Sequence, residues 1–221
     1  MDTQTPSNSY VPQEVAPHEG ESYAAQPKKH SNGLKGVLAT IAILIAAPIT
    51  ALLITSFLFQ SYEVFGPSMQ TTLQNGDRLI VIKAPRTWAK IRHQTFMPMR
   101  GQIVIFTKKD LLIEGGSGNK QLIKRVIALP GERVVVKDGK LKVYSKSRPD
   151  GFEPDKEADY GKVIVTTNLD GEWNVGDGEI FVDGDNRQNS LDSRSFGPIK
   201  TDDIVGTAAF RFLPANTSRT L

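Results

Sequence analysis

Few residues in this chain can start a reaction. There are three histidines and no cysteine. The missing cysteines remove disulfides, thiolate metal sites and cysteine nucleophiles together. His18 and His30 precede a long apolar run, and His93 sits in the basic, loop-like stretch Lys90-Ile91-Arg92-His93. A Ser-His-Asp triad would rest on His93 alone, and no H-E-x-x-H pair exists for a zinc hydrolase. A serine activated by a lysine is the chemistry that remains. A hydroxyl needs a base to become a nucleophile. A lysine serves as that base only where burial disfavours its ammonium. The signal to seek is therefore a lysine inside an apolar strand.

Lys124 answers that description. In Leu122-Ile123-Lys124-Arg125-Val126-Ile127-Ala128 its same-face neighbours at strand period are Leu122 and Val126. The ordinary reading of such a lysine is an edge strand or a snorkelling stem, and both readings stand at this point. Ser68 lies in Phe65-Gly66-Pro67-Ser68-Met69. Gly66 and Pro67 form a tight turn able to present the Ser68 side chain and its N–H, with Met69 and Leu73 as apolar contacts. On its own, Ser68 reads equally as a turn serine. Two other patterns fail. Ser117-Gly118-Asn119-Lys120 matches S-x-x-K but lacks its companion motifs and sits among glycines, so it reads as part of a Gly/Ser loop from Gly115 to Asn119. Asp183-Gly184-Asp185 opens like a calcium loop, then places Arg187 and Gln188 where a ligand and the turn glycine belong.

The elements that must position these residues follow from the pattern of the 221-residue chain. Residues 1–33 are polar and without period, which predicts a disordered tail. Gly36 to Phe59 carries no charge, and about 20 apolar residues suffice to cross a bilayer. A transmembrane helix is expected over 34–60. Lys28, Lys29 and Lys35 precede it, and no Lys or Arg follows until Arg78. The tail is therefore expected in the cytoplasm and residues 61–215 outside. The outer part reads as short β-strands at 77–83, 102–107, 121–129, 133–137, 140–144, 162–166, 179–183 and 203–212, bounded by turn signals. Leu129-Pro130-Gly131-Glu132 suits a type II turn and Asp138-Gly139 a hairpin. The polar stretch 145–159 reads as a surface excursion, 137–178 as a sub-lobe and 216–221 as a terminal tail. A net charge of +3 without a basic tract gives no case for nucleic acid.

Four segments together resemble the signal peptidase I family. Ser68-Met69-Gln70-Thr71-Thr72-Leu73 is similar to its S-M-x-P-T-L box, and Arg100-Gly101-Gln102-Ile103-Val104-Ile105-Phe106 to its R-G-D-I-V-V-F box. Lys124-Arg125-Val126-Ile127-Ala128-Leu129-Pro130-Gly131-Glu132 resembles K-R-V-x-x-L-P-G-D. Gly184-Asp185-Asn186-Arg187-Gln188-Asn189-Ser190-Leu191-Asp192-Ser193-Arg194 resembles G-D-N-R-x-N-S-x-D-S-R. Their order, after a single span, is that of the Gram-positive type. The resemblance implies a mainly β fold, a coiled antiparallel sheet carried by one N-terminal transmembrane helix. It implies Ser68 as nucleophile, Lys124 as general base and Ser190 as the hydroxyl that orients the lysine. Asp192 and Arg194 would form an ion pair near the site, with Arg125, Gly184, Asp185 and Asn186 supporting it. Gly66, Pro67 and Met69 would shape the nucleophile turn, the oxyanion resting chiefly on backbone N–H such as that of Ser68. It implies no cofactor or metal. The substrates would be preproteins cut after small residues (Ala-x-Ala), and the other partner the lipid bilayer. Thr71 replaces the family proline, and Gln188 a common aspartate.

Overall fold

The computed structural model describes residues 33–113, 116–157, 167 and 169–221. The tail at 1–32 and the strand expected at 162–166 lie outside these. The chain divides into two compact units, residues 1–44 and 45–221; all the strands and the last turns of the first helix belong to the second. That helix, α1, runs Gly33–Phe57, with Pro48 inside it and no buried residue. Its mean hydropathy is 2.7, so it is long and apolar enough to cross a membrane. It stops short of 60, because Phe59–Glu63 already pairs as strand β1.

Twelve strands follow among the described residues, all antiparallel. They are β1, β2 (Arg78–Ile82), β3 (Ile103–Ile113), β4 (Gly116–Ala128), β5 (Arg133–Lys137), β6 (Lys140–Ser145), β7 (Arg148–Phe152), β8 (Gly171–Asn174), β9 (Glu179–Asp183), β10 (Ile199–Lys200), β11 (Ile204–Leu213) and β12 (Arg219–Thr220). The larger sheet has the order β1-β2-β11-β3-β4-β9-β10, with β12 on β11; the smaller is β7-β6-β5-β8. The described residues also form three short α-helices, α2 (Ala84–Ile91), α3 (Pro154–Glu157) and α4 (Ser193–Phe196), and three single 3-10 turns.

The unbroken apolar run Ile103-Val104-Ile105-Phe106 has a simple cause, since β3 is covered on both faces. Ile103 and Ile105 pack with Val64, Met69, Leu73 and Val81. Val104 and Phe106 pack with Val126, Ile180, Val182 and Ile204. A third cluster, built on Ile127, Val134, Val136, Leu141, Val143 and Phe181, joins the two sheets. The hairpin expected at Asp138-Gly139 is present, with φ of 50° and 72° and Lys137 opposite Lys140, the geometry of a type I′ turn.

Two expectations are corrected and one is refined. Gly116–Asn119 is strand, not loop: Gly116, Ser117 and Gly118 pair with Ile113, Leu112 and Leu111. A backbone ladder asks nothing of the side chains, so a Gly/Ser composition does not prevent it. The stretch 145–159 lies at the surface as expected, with residues 146–150 exposed, but as far as 157 it carries regular structure: it supplies β7 and α3 and buries the Asp155 side chain. Lys90-Ile91 closes helix α2 instead of lying in a loop. At the C-terminus, β12 pairs with Phe210 and Arg211, so the last residues are tied to the sheet.

Candidate active site

The turn before Ser68 is set by its own backbone. Gly66 has φ +86°, a conformation that costs other residues, and its N–H donates to Asn75 Oδ1 at 2.9 Å. The Gln70 N–H reaches Pro67 O at 3.1 Å and the Leu73 N–H reaches Met69 O at 2.8 Å. Met69 and Leu73 are fully buried in the core. These anchors leave Ser68 half-buried at the wall of a cleft of about 340 Å³, whose other walls are β1 and residues 121–124 of β4.

Lys124 enters the same cleft from β4. Its Nζ lies 2.8 Å from Ser68 Oγ and 3.1 Å from Ile123 O. Only 3% of its surface is exposed. Burial pulls its pKa from 10.5 down to about 8, against the opposing pull of Asp192, Asp183 and Asp185. Neutral Lys124 is thus accessible near neutral pH, with its lone pair in reach of the Ser68 hydroxyl hydrogen.

The remaining site residues form a buried ionic frame. Arg125 donates to both Asp185 oxygens, at 2.7 and 2.5 Å. It also donates to Gly101 O at 2.8 Å and Thr72 Oγ1 at 3.2 Å. One guanidinium therefore ties together the nucleophile segment, the Arg100-Gly101 turn and the turn that follows β9. Asp192 caps that turn, accepting from the Gly184 N–H at 3.0 Å. It is itself held by Arg194 at 2.9 and 2.7 Å. The Asn186 N–H donates to Ser68 O at 3.0 Å, clasping the nucleophile from behind. Glycine is required at Gly184 for space: a Cβ there would strike Ser190 Oγ and Ser68 O.

Ser190 stands apart from its implied role. Its Oγ is buried and has no hydrogen-bond partner among the described residues. The Asp183 carboxylate is likewise without one, although Arg187 and Arg194 each approach to 3.8 Å. Burial, then Asp192, push the Asp183 pKa up. Sequence reading assigned nothing to Asp183, Thr72 or Asp155. Asp155 is gripped by fully buried Arg187 through two 2.6 Å bonds, which fasten α3 to the 184–190 turn. Arg187 stood in a quoted motif and offered a signal; Asp155 lay in a polar stretch without period and offered none. His93 belongs to a different cleft, beside α2.

Known proteins match this chain over most of its length. Residues 37–213 match the family model described as signal peptidase, peptidase S26. A protein named signal peptidase I from Bacillus licheniformis is 38% identical over 195 residues, 87% of this chain and 97% of that one. One named signal peptidase I T from Bacillus subtilis is 38% identical over 179 residues, 80% of this chain and 85% of that one. A probable signal peptidase I-1 from Synechocystis is 36% identical over 177 residues, 80% of this chain and 82% of that one. A solved signal peptidase I from Enterococcus faecalis aligns at 27% identity and TM-score 0.35 over 50% of this chain and 96% of that one. By the extent of the family match and the length over which its relatives align, this chain belongs to the signal peptidase family, peptidase S26.

Proposed function

We propose that this chain is a membrane-anchored signal peptidase I that cuts preproteins through a Ser68 nucleophile and a Lys124 general base. The observation that carries the mechanism is the 2.8 Å approach of buried Lys124 Nζ to Ser68 Oγ. In the first step the Ser68 hydroxyl proton passes to neutral Lys124 as Oγ attacks the scissile carbonyl carbon. The oxyanion so formed accepts from the Ser68 backbone N–H, carried on the turn that Gly66 and Pro67 shape. Fixed donors of this kind stabilise charge that develops only in the transition state. Lys124 then returns its proton to the departing amine, leaving an acyl ester on Ser68. Water, deprotonated by Lys124, hydrolyses that ester and regenerates the site.

The sheet supports a strand-like substrate. β4 pairs with β3 along most of its length, but with β9 only from Arg125 onward. Among the described residues, the backbone of 121–124 therefore has one unpaired edge at the cleft. An extended peptide adds to such an edge by main-chain bonds, with alternate side chains in pockets. Small residues at the third-last and last positions before the cut fit a cleft of this size. Helix α1 serves as the anchor, with the tail cytoplasmic and the β domain outside, holding the site where a cleavage point leaves the bilayer.

The test is cleavage of a preprotein bearing Ala-x-Ala by the full chain in proteoliposomes. Cleavage is expected for the parent and abolished by Ser68→Ala. Replacing the last Ala before the cut with Phe is expected to stop it. Equal rates for Ala and Phe refute the small-residue pockets, and activity in Ser68→Ala refutes the nucleophile.

A further inference from the structure

Helix α2 keeps no residue buried. Its Trp88 is 57% and Ile91 65% exposed, three residues apart on one ridge of the helix. Around them stand Lys83, Arg86, Lys90 and Arg92, and no acidic residue occurs between Asp77 and Asp110. Arg92 leans over the Trp88 ring at 5.8 Å. An exposed tryptophan flanked by cations is the composition of a helix that lies in a membrane interface.

Its position fits that composition. The Thr87 hydroxyl donates to Phe57 O at 3.1 Å, and the Lys83 N–H donates to Leu58 O at 2.8 Å. Phe57 is the last residue of α1. Helix α2 is thus fastened to the point where the apolar span ends. Two clefts border it. One, of about 530 Å³, is apolar and runs between Phe57, Leu58, Trp88 and Ile91. The other, of about 500 Å³, is lined by Arg86, Lys90 and His93, with Asp202 at its wall. Lys90 borders both. An apolar slot and a cationic slot sharing one lysine suit a single amphiphile that carries a phosphate.

We propose that α2 docks on the bilayer surface and binds anionic phospholipid there. Trp88 and Ile91 enter the acyl–headgroup boundary, while Arg86, Lys90 and His93 surround the lipid phosphate. The inference rests on reading α1 as the membrane anchor. It adds a second attachment that fixes how the β domain stands on the membrane, and so where the mouth of the Ser68 cleft meets the substrate.

The chain has two tryptophans, so Trp173→Phe leaves Trp88 as the only reporter. This full chain is reconstituted in vesicles of phosphatidylcholine alone, or mixed with phosphatidylglycerol. Trp88 emission is then quenched with lipids brominated high on the acyl chain, or with aqueous iodide. In the mixed vesicles, quenching by bromolipid and protection from iodide are expected. Arg86→Gln with Lys90→Gln is expected to weaken docking by roughly fivefold per cation removed, with cleavage of a short soluble peptide unchanged. A chain that resists alkaline extraction, yet leaves Trp88 open to iodide and untouched by bromolipid, overturns the proposal while sparing the anchor. A chain that is extracted by alkali removes the anchor reading and this inference with it. Equal protection in phosphatidylcholine alone overturns the assignment of an anionic lipid.

Discussion

Titrating Lys124 is the most informative perturbation, because its burial sets a magnitude. With an ordinary value of 10.5 lowered to about 8, the neutral fraction at pH 7 rises roughly 300-fold, to about one-tenth. Catalysis needs that neutral fraction, so kcat/KM is expected to climb about tenfold for each pH unit up to about 8 and then level off. The assay is preprotein cleavage by the full chain in proteoliposomes, from about pH 5 to 10. The same group has a signature in stability. Its folded pKa is depressed, so between about 8 and 10.5 the unfolded chain holds the extra proton. Stability therefore rises with pH across that window and is lost as pH falls through it, by roughly 3 kcal/mol in all. Lys124→Met should abolish this slope along with activity. A profile that is flat across neutral pH, or one that keeps climbing beyond about pH 10, would refute a buried lysine as the base.

Other expectations concern the frame and the topology. Gly184→Ala drives a methyl into Ser190 Oγ and Ser68 O; overpacking costs about 1–3 kcal/mol, and cleavage should fall at least as steeply as the urea midpoint. Asp185→Ala leaves the Arg125 guanidinium buried without its carboxylate; a loss of about 3–5 kcal/mol is expected in urea unfolding, and an unchanged midpoint contradicts the frame. Ser190→Ala removes a hydroxyl with no hydrogen-bond partner among the described residues, so stability should hold. If Ser190 aims Lys124 once substrate is bound, turnover falls about tenfold; equal turnover makes it a filler beside Gly184. In sealed right-side-out vesicles, external protease should cut near Lys120 and Lys156 and spare Tyr10 and Lys28; the reverse pattern overturns the charge-based topology.

The sequence was most legible where one residue type had one job. A lysine flanked by Leu122 and Val126 could be singled out because apolar strands seldom carry one. The run Ile103–Phe106 was legible as strand, though its cover on both faces emerged only from the packing. Legibility failed where backbone pairing, and not side-chain character, decided the structure. Gly116–Gly118 forms strand because β3 extends opposite it, information that lies elsewhere in the chain. Helix α2 was missed because Lys83-Ala84-Pro85-Arg86 lacks a capping side chain, and Pro85 sits in the first turn, where proline is tolerated. The Asp155–Arg187 pair joins residues 32 apart in sequence, and no local pattern could link them. The ion pairs of Arg125 and Arg194 were approachable only through motifs, since a buried arginine and an exposed one look alike in sequence.

The central claim is that Lys124 takes the Ser68 proton, and the rate of preprotein cleavage by Lys124→Ala tests it most directly. Lys120→Ala is the matched control, because Lys120 is exposed on the same strand, four residues away. The account predicts that Lys120→Ala cleaves like the parent, while Lys124→Ala, still folded, loses nearly all turnover. Activity of Lys124→Ala within about tenfold of the parent, the range that loss of a minor positioning bond would explain, contradicts it.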